Sequence, residues 1–399
     1  MGTLLSEPIT AMVLDECTSE SWSASSASMQ GWRKTHEDAH IFECSCAGPQ
    51  PSGVFAVLDG HGGRNAATYS KDILKELLIP LMQHGALDRS TAEGELRKAF
   101  IQADEQLRAK LSPDDRSGTT VVAALVTHSS DNSYIIHLAH AGDSRALVCA
   151  AGEVIASEDH KPSRADETER IRAAGGFVDH GALGGGPLRV DGSLAVSRAF
   201  GDFHFKPSDR APENCKVTPL PEVRTVSAAP GDWILIACDG IFDVYSNEEA
   251  RAFISERLVD GALADGRTVV QELLRSCLDK GSKDNCTAMF IQLRPNGLIK
   301  PYEHTLDLGG YSSVANADVR KKYFDFFEAE GFPEAVEKSS APQTSNAAST
   351  TGATCQTPSS TSEASRDQLV AVAQALKAMK SSRQIQNAWR KHREKPDSP

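Results

Sequence analysis

Two aspartates stand where metal chemistry can be done. Asp59 closes the apolar run Val54-Phe55-Ala56-Val57-Leu58, Asp239 closes the run Trp233 to Cys238, and a glycine follows each, Gly60 and Gly240. A carboxylate at the end of a buried strand sits at the rim of a core, in partly excluded water. Two such strands adjacent in a sheet bring two carboxylates close together. Like charges at that range disfavour one another unless a cation lies between them. Asp38, in Glu37-Asp38, and Asp284, in Lys283-Asp284-Asn285, extend the set by the same reasoning. Hard cations such as Mg²⁺ and Mn²⁺ take oxygen ligands and keep several waters, using few carboxylates each. Two of them about 4 Å apart can share a bridging carboxylate and activate a water between them. A single Asp-Gly pair marks a turn more often than a ligand; only the ensemble points to a metal centre.

The loop Gly60-His61-Gly62-Gly63 adds to that ensemble. Its glycines let backbone approach a ligand closely and free Gly60 to offer its carbonyl to a metal. His61 is either a polar loop residue or the acid that protonates a leaving alkoxide. Arg33 precedes Glu37 by four residues. Its guanidinium fork fits two phosphate oxygens, as a lysine would not.

Strands must position these groups. Val54 to Leu58, Thr119 to Val126, Tyr134 to Ala141, Ala146 to Cys149, Trp233 to Cys238 and Thr287 to Leu293 read as strands, the third and fourth joined by the tight turn Gly142-Asp143-Ser144-Arg145. Ala66 to Met82 carries Tyr69, Ile73, Leu74, Leu77, Leu78 and Leu81 at helical spacing. Many short strands with helices between them indicate an α+β fold: two packed antiparallel β-sheets, a β-sandwich, flanked by α-helices.

Taken in order, the motifs resemble the protein phosphatase 2C family. They are Ser28-Met29-Gln30-Gly31-Trp32-Arg33 with Glu37-Asp38-Ala39-His40, Val57 to Gly63, Ser117-Gly118-Thr119-Thr120, Gly142 to Arg145, Asp159-His160-Lys161-Pro162, Leu194 to Asp202, Cys238-Asp239-Gly240 and Lys283-Asp284-Asn285. Each is weak alone; the ordered set is specific and covers roughly Trp22 to Leu293. The resemblance implies a metal-dependent serine/threonine phosphatase with two Mg²⁺ or Mn²⁺ ions in a channel at one end of the sandwich. By it Asp59 bridges both ions, Gly60 gives a carbonyl to one, and Asp239 and Asp284 hold the other. Glu37 and Asp38 act mostly through water or from behind the ligands. Arg33 binds substrate phosphate and His61 is the general acid. A third, weaker ion uses Asp143, Asp239 and Asp243. A metal-bridging water attacks phosphorus in line, and no phosphoenzyme forms. Two departures stand out: His36 replaces a frequent Met or Thr, and Asp191 replaces an Asn, adding negative charge near the channel that would alter substrate preference. The flap shaping substrate access falls at about Ser163 to Arg189 and contains Gly184-Gly185-Gly186.

The chain as a whole divides into an N-terminal segment 1–21, the phosphatase-like domain 22–294, a helical extension 295–338, a Ser/Thr-rich linker 339–366 and a basic helix 367–399. In the extension, Val319, Tyr323, Phe324 and Phe327 share a helical face that Gly331 and Pro333 terminate. The linker has almost no large apolar residue and cannot offset its ordering entropy. The opening Met1-Gly2-Thr3-Leu4-Leu5-Ser6 matches the N-myristoylation pattern, which makes Gly2 a candidate lipidation site. One such chain binds membranes only reversibly. Ile385, Gln386, Trp389, Arg390 and Lys395 resemble an IQ motif, with Lys391 in place of the usual glycine. That helix suits a calmodulin-like light chain, an acidic membrane surface, or no partner at all.

Of the 399 residues 40% are hydrophobic, and the formal net charge is −12, which argues against nucleic acid as a partner and against a two-metal nuclease. The nine scattered cysteines are expected to be reduced, in a cytoplasmic protein that associates with membranes only through acylated Gly2, and a monomer is expected. The competing reading is a non-catalytic phosphoprotein-binding scaffold acting through the tail; the intact acidic set favours the enzyme.

Overall fold

The computed structural model describes residues 4–83, 87–181, 184–258, 265–293, 299–333 and 335. Two antiparallel sheets pack face to face. One runs Glu153–Ala156, Arg145–Ala150, Trp233–Ala237, Cys286–Leu293, Trp22–Gly31, Ile9–Thr18 and Lys300–Asp307, in that spatial order. The other runs Glu222–Ala228, Tyr134–Ala141, Val121–His128, Ser52–Leu58 and Ala39–Glu43. This is the expected α+β sandwich. Strand alternation sorts the second sheet's side chains: Phe55, Val57, Val122, Ala124 and Val126 face the first sheet, whereas Val54, Ala56, Leu58, Val121, Ala123 and Leu125 face the helices Asn65–Gln83 and Ala92–Lys110. On the far side, Gly266–Asp279 buries Val269, Val270, Leu273, Leu274 and Cys277 against the first sheet. The helix Asn247–Arg257 starts at a capping box made by Ser246 and Glu249.

Three expectations change. The turn Gly142 to Arg145 does not close a hairpin: Tyr134–Ala141 lies in one sheet and Arg145–Ala150 in the other, so the turn crosses the sandwich and carries Asp143 between them. The boundaries at 22 and 294 do not follow the fold. Ile9–Thr18 pairs with Trp22–Gly31, and Lys300–Asp307 pairs with Ile9–Thr18 as the edge strand. Lys300–Asp307 has only Tyr302 and Leu306 as large apolar side chains and buries neither fully, so its period-two signal is weak. Finally, Cys17 and Cys44 are disulfide-bonded, contrary to the reduced state expected for all. Their sulfurs come from opposite sheets, 27 residues apart in sequence, a pairing no spacing rule reveals. The other cysteines described are free and buried.

The helix Ala317–Ala329 forms as expected, capped by the Asn316 side chain accepting from Asp318 and Val319 amides. It buries Val319, Tyr323, Phe326 and Phe327 against Ile9, Ala11 and Val13, with Phe324 only partly covered. Gly2, the linker and the IQ-like residues Ile385 to Lys395 lie outside the described residues. No described helix is long and apolar enough to cross a membrane.

Candidate active site

The acidic residues gather at one end of the sandwich, drawn from both sheets. In the smaller sheet Ala39 pairs with Leu58, so Asp38 and Asp59 continue neighbouring strands past their last pair. In the larger sheet Ala237 pairs with Ala288, so Asp239 and Asp284 leave a second neighbouring pair of strands. Asp59 and Asp239 are thus not adjacent in one sheet, as their sequences suggested; they meet across the sandwich. Each Asp-Gly glycine explains how. A Cβ on Gly60 would strike the Glu37 carbonyl oxygen, and one on Gly240 would strike that of Asn285. Glycine lets the loop bearing Glu37 and Asp38 lie against Asp59, and the loop bearing Asp284 lie against Asp239. Asn285 ties the two sides together: its Oδ1 accepts from the Glu37 amide at 3.0 Å, and its Nδ2 donates to the Gln30 and Thr35 carbonyls at 2.8 and 3.1 Å.

The electrostatics show how close the carboxylates lie. Burial pushes the Asp59 carboxyl well above its ordinary pKa, and Asp239, Asp38, Asp284 and Asp143 push it further. Asp239 is raised in the same way, by burial and then by Asp143, Asp284 and Asp243. Asp38 is raised by burial, only partly offset by His36 and by the Thr287 hydroxyl that donates to its Oδ2 at 2.7 Å. Its Oδ1 is buried without a partner. Among the described residues, no hydrogen bond reaches the side-chain oxygens of Asp59, Asp239 or Asp243. Asp59 and Asp239, half-buried and mutually repelling without protein donors, fit hard dications.

The remaining predicted residues take distinct places. Arg33 is ion-paired with Asp284 and keeps 45% of its side chain exposed. Asp143 is ion-paired with Lys161, whose ammonium also faces Asp239 and Asp243. Lys161 thus supplies positive charge where the sequence placed a third ion. Glu37 is turned away from the aspartates: its oxygens accept from the Gly63 amide at 3.0 Å and the Thr35 hydroxyl at 2.9 Å. His61 faces Asp202, Nε2 to Oδ2, at 2.7 Å. Burial opposes its protonation, but Asp202 outweighs that and holds the imidazole above its ordinary pKa. A Cβ on Gly118 would collide with both partners. Asp191 does not add free charge to the channel. It is paired with Lys216 at 2.6 Å and accepts from the Phe177 amide at 3.0 Å, holding the base of the flap.

Roles for Asp202 and Lys161 were missed. Both lie inside motifs noted in the sequence, but their partners are remote in it. One further cluster has metal-ligand character: ligand atoms of His140, His160 and Glu222 lie within 4.8 Å of one another. The Gly142 amide donates to His160 Nδ1 at 3.2 Å, which puts the ring proton on Nε2, facing Glu222 at 3.4 Å. His140 Nε2 donates to the Glu158 carbonyl and Arg164 reaches Glu222 at 3.3 Å, so these groups brace the fold.

A model of the protein phosphatase 2C family matches residues 22–286. The chain belongs to this family. It is 37% identical over 303 residues to a probable protein phosphatase 2C of Caenorhabditis elegans, covering 73% of this chain and 80% of that one. It is 35% identical over 324 residues to protein phosphatase 1A of Homo sapiens, covering 78% and 80%. With a probable protein phosphatase 1N of Mus musculus it shares 40% identity over 270 residues, 66% of this chain and 63% of that one. The fold is similar to that of a Toxoplasma gondii phosphatase, with a TM-score of 0.64 at 24% identity, over 74% of this chain and 99% of that one. It is also similar to a C. elegans sex determining protein, with a TM-score of 0.59 at 28% identity, over 68% and 65%. The protein phosphatase 2C family comprises protein serine/threonine phosphatases that depend on Mg²⁺ or Mn²⁺, and this chain is an enzyme of that class.

Proposed function

We propose that this phosphatase 2C hydrolyses phosphoserine and phosphothreonine in proteins directly, without a phosphoenzyme, using two Mg²⁺ or Mn²⁺ ions held by Asp59, the Gly60 carbonyl, Asp239 and Asp284, with Asp38 behind them. The observation that carries this is the pair of half-buried, mutually repelling carboxylates, Asp59 and Asp239, to which no described protein donor is hydrogen-bonded. When bound, the ions supply Lewis acidity, lowering the pKa of a water between them and neutralising phosphate charge. The chain's own residues do the rest. The exposed fork of Arg33 can leave Asp284 and take two phosphate oxygens. His61, whose protonated form Asp202 favours, donates to the leaving serine or threonine oxygen. Lys161 occupies the place of a third, weaker ion at Asp143 and Asp243, which must displace it to bind.

The same proposal places the protein in the cytoplasm, with reversible membrane attachment through acylated Gly2 and a calmodulin-like light chain at Ile385 to Lys395. These rest on sequence pattern. Mass spectrometry of the N-terminus of protein from eukaryotic cells, and a calcium-dependent gel shift with calmodulin, test them.

The deciding experiment is turnover of a phosphothreonine peptide after chelation, with Mn²⁺ or Mg²⁺ then restored, beside Asp239→Asn. Turnover that vanishes with the metal, returns with it and is absent in the variant supports the proposal. A folded protein with no metal-restored turnover would overturn it.

A further inference from the structure

A buried hydrogen-bonded chain leads from Asp38 to the end of the C-terminal helix. The Thr287 hydroxyl donates to Asp38 Oδ2 at 2.7 Å. Thr287 Oγ1 and Ser28 Oγ are 2.7 Å apart, and Ser28 Oγ and His36 Nε2 are 3.0 Å apart. His36 Nδ1 lies 3.2 Å from Glu330 Oε1. Glu330 is the C-cap of Ala317–Ala329, and Phe326 of that helix packs edge-on against the His36 ring at 5.4 Å. Asp38, Ser28, Thr287 and His36 are all buried.

Donor accounting fixes the direction of the chain. A hydroxyl has one proton, and Thr287 spends its proton on Asp38. Ser28 must therefore donate to Thr287, which leaves Ser28 to accept from His36 Nε2–H. Glu330 Oε1 faces the other ring nitrogen. From His36 to Asp38 each link points toward the carboxylate, so His36 orders that run. Without it the Ser28 and Thr287 protons are free to turn elsewhere, and Asp38 loses the donor that fixes its carboxylate plane. The run crosses the boundary of the family match: Glu330 lies beyond residue 286, where that match ends.

Given the metal ring proposed above, we propose that His36 is a positioning residue for that ring. It ties the Asp38 carboxylate, through Ser28 and Thr287, to Glu330, so that docking of the C-terminal helix sets how tightly the ring binds a divalent cation. Groups that orient metal-binding carboxylates from behind typically change metal affinity about 10- to 100-fold when removed.

The test is Mn²⁺ binding to the full-length protein, read from the electron paramagnetic resonance signal of free Mn²⁺. The variants are His36→Met, Glu330→Ala, Thr287→Val and the double variant His36→Met/Glu330→Ala, with Asp239→Asn beside them. Each single break should raise the Mn²⁺ Kd about 10-fold or more. The double variant should bind no worse than the weaker single, because both break one chain. The KM for a phosphopeptide at saturating Mn²⁺ should be unchanged. Kd values within twofold of wild type in folded variants, or losses that multiply in the double variant, would overturn the inference; a lowered melting temperature alone would count as the first. Thr287→Val is nearly isosteric and keeps the test decisive should His36→Met not fold. If Asp239→Asn binds Mn²⁺ as wild type does, the metal ring itself is wrong. If Asp239→Asn loses binding while His36→Met keeps it, only the role of His36 is wrong.

Discussion

His61 Nε2 and Asp202 Oδ2 stand 2.7 Å apart although 141 residues separate them in the chain. Asp202 is nearly fully buried and adopts a left-handed φ of 49°, a conformation that costs a non-glycine residue energy and is kept where the surroundings demand it. Its charge holds His61 protonated to higher pH than an ordinary imidazole. In the proposed acid role His61 is active in the protonated form, so the alkaline limb of kcat would report its loss. Asp202→Asn should move that limb toward lower pH and reduce kcat most at alkaline pH. His61→Gln should cost about 10²–10⁴-fold in kcat at all pH values. A pH–rate profile of Asp202→Asn that superimposes on wild type would remove His61 from the acid role.

Under the proposed roles, the Arg33–Asp284 ion pair sets substrate binding by Arg33 against metal binding by Asp284. Arg33→Ala should therefore act in opposite directions on metal and substrate. Freed of a half-exposed cation, Asp284 should bind Mn²⁺ more tightly, by at most about fivefold given the roughly 1 kcal/mol ceiling on exposed pairs. The phosphopeptide KM should rise about 10-fold or more with the loss of a bidentate charge-assisted contact. Mn²⁺ titration and steady-state kinetics on the same variant separate the two.

Metal-free protein should lose stability as pH rises. Burial and mutual repulsion hold Asp59 and Asp239 well above the ordinary carboxylate pKa. Above about pH 4 the unfolded chain releases protons that the fold retains. The folded state then binds more protons, the slope of unfolding free energy with pH is negative, and the stability is lost between the ordinary carboxylate pKa and the raised ones. Chelated wild type should melt lower at pH 7.5 than at pH 5.5. Mn²⁺ at 100 times its Kd should restore about 2.7 kcal/mol. Asp239→Asn should be more stable than wild type without metal, by about 1–4 kcal/mol, and gain nothing from Mn²⁺. A chelated wild type whose melting temperature rises from pH 5.5 to 7.5 would contradict the repulsion described here.

What the sequence revealed follows the length over which each signal acts. Asp59 and Asp239 were legible because an apolar run, a carboxylate and a glycine lie within one strand and its end. Their meeting across the sandwich was not, because sheet membership depends on where Gly142 to Arg145 carries the chain. The pairs Gly60–His61, Gly118–Thr119 and Phe200–Gly201 build the small sheet that brings His61 to Asp202, and two residues have no period to read. Glu37 was expected to act through water or from behind the ligands, and its carboxylate accepts from Gly63 and Thr35, partners that no local pattern reveals. Ile9–Thr18 was not read as a strand, because Asp15 and Glu16 interrupt its apolar run.

That same Asp15 fastens the edge strand. It is buried, yet accepts from Tyr302 at 2.6 Å and Ser26 at 2.9 Å, and faces His304 at 2.8 Å and His40 at 2.7 Å. Burial alone would raise its pKa; His40, His304 and Tyr302 outweigh burial and leave it well below the ordinary carboxylate range. A depressed carboxylate stabilises the fold above its unfolded pKa and ceases to as pH falls toward its folded one. His304, raised chiefly by its bond to Asp15, stabilises below the ordinary histidine pKa and less as pH rises through its folded value. The network should be strongest between about pH 4 and 6.5. Asp15→Asn should cost about 2–4 kcal/mol and flatten the acid limb of the stability profile. Amides of Lys300–Asp307 should then exchange fastest, because that strand is paired on one side only. Since Asp15 touches none of the residues proposed to bind metal or substrate, kcat at saturating Mn²⁺ and 25 °C should stay within about twofold of wild type, as for other changes away from the chemistry. A fall in kcat with the edge strand still protected would instead mean that Asp15 reaches the metal ring through the cavity of about 510 Å³ that Asp15, His40 and Asp38 share.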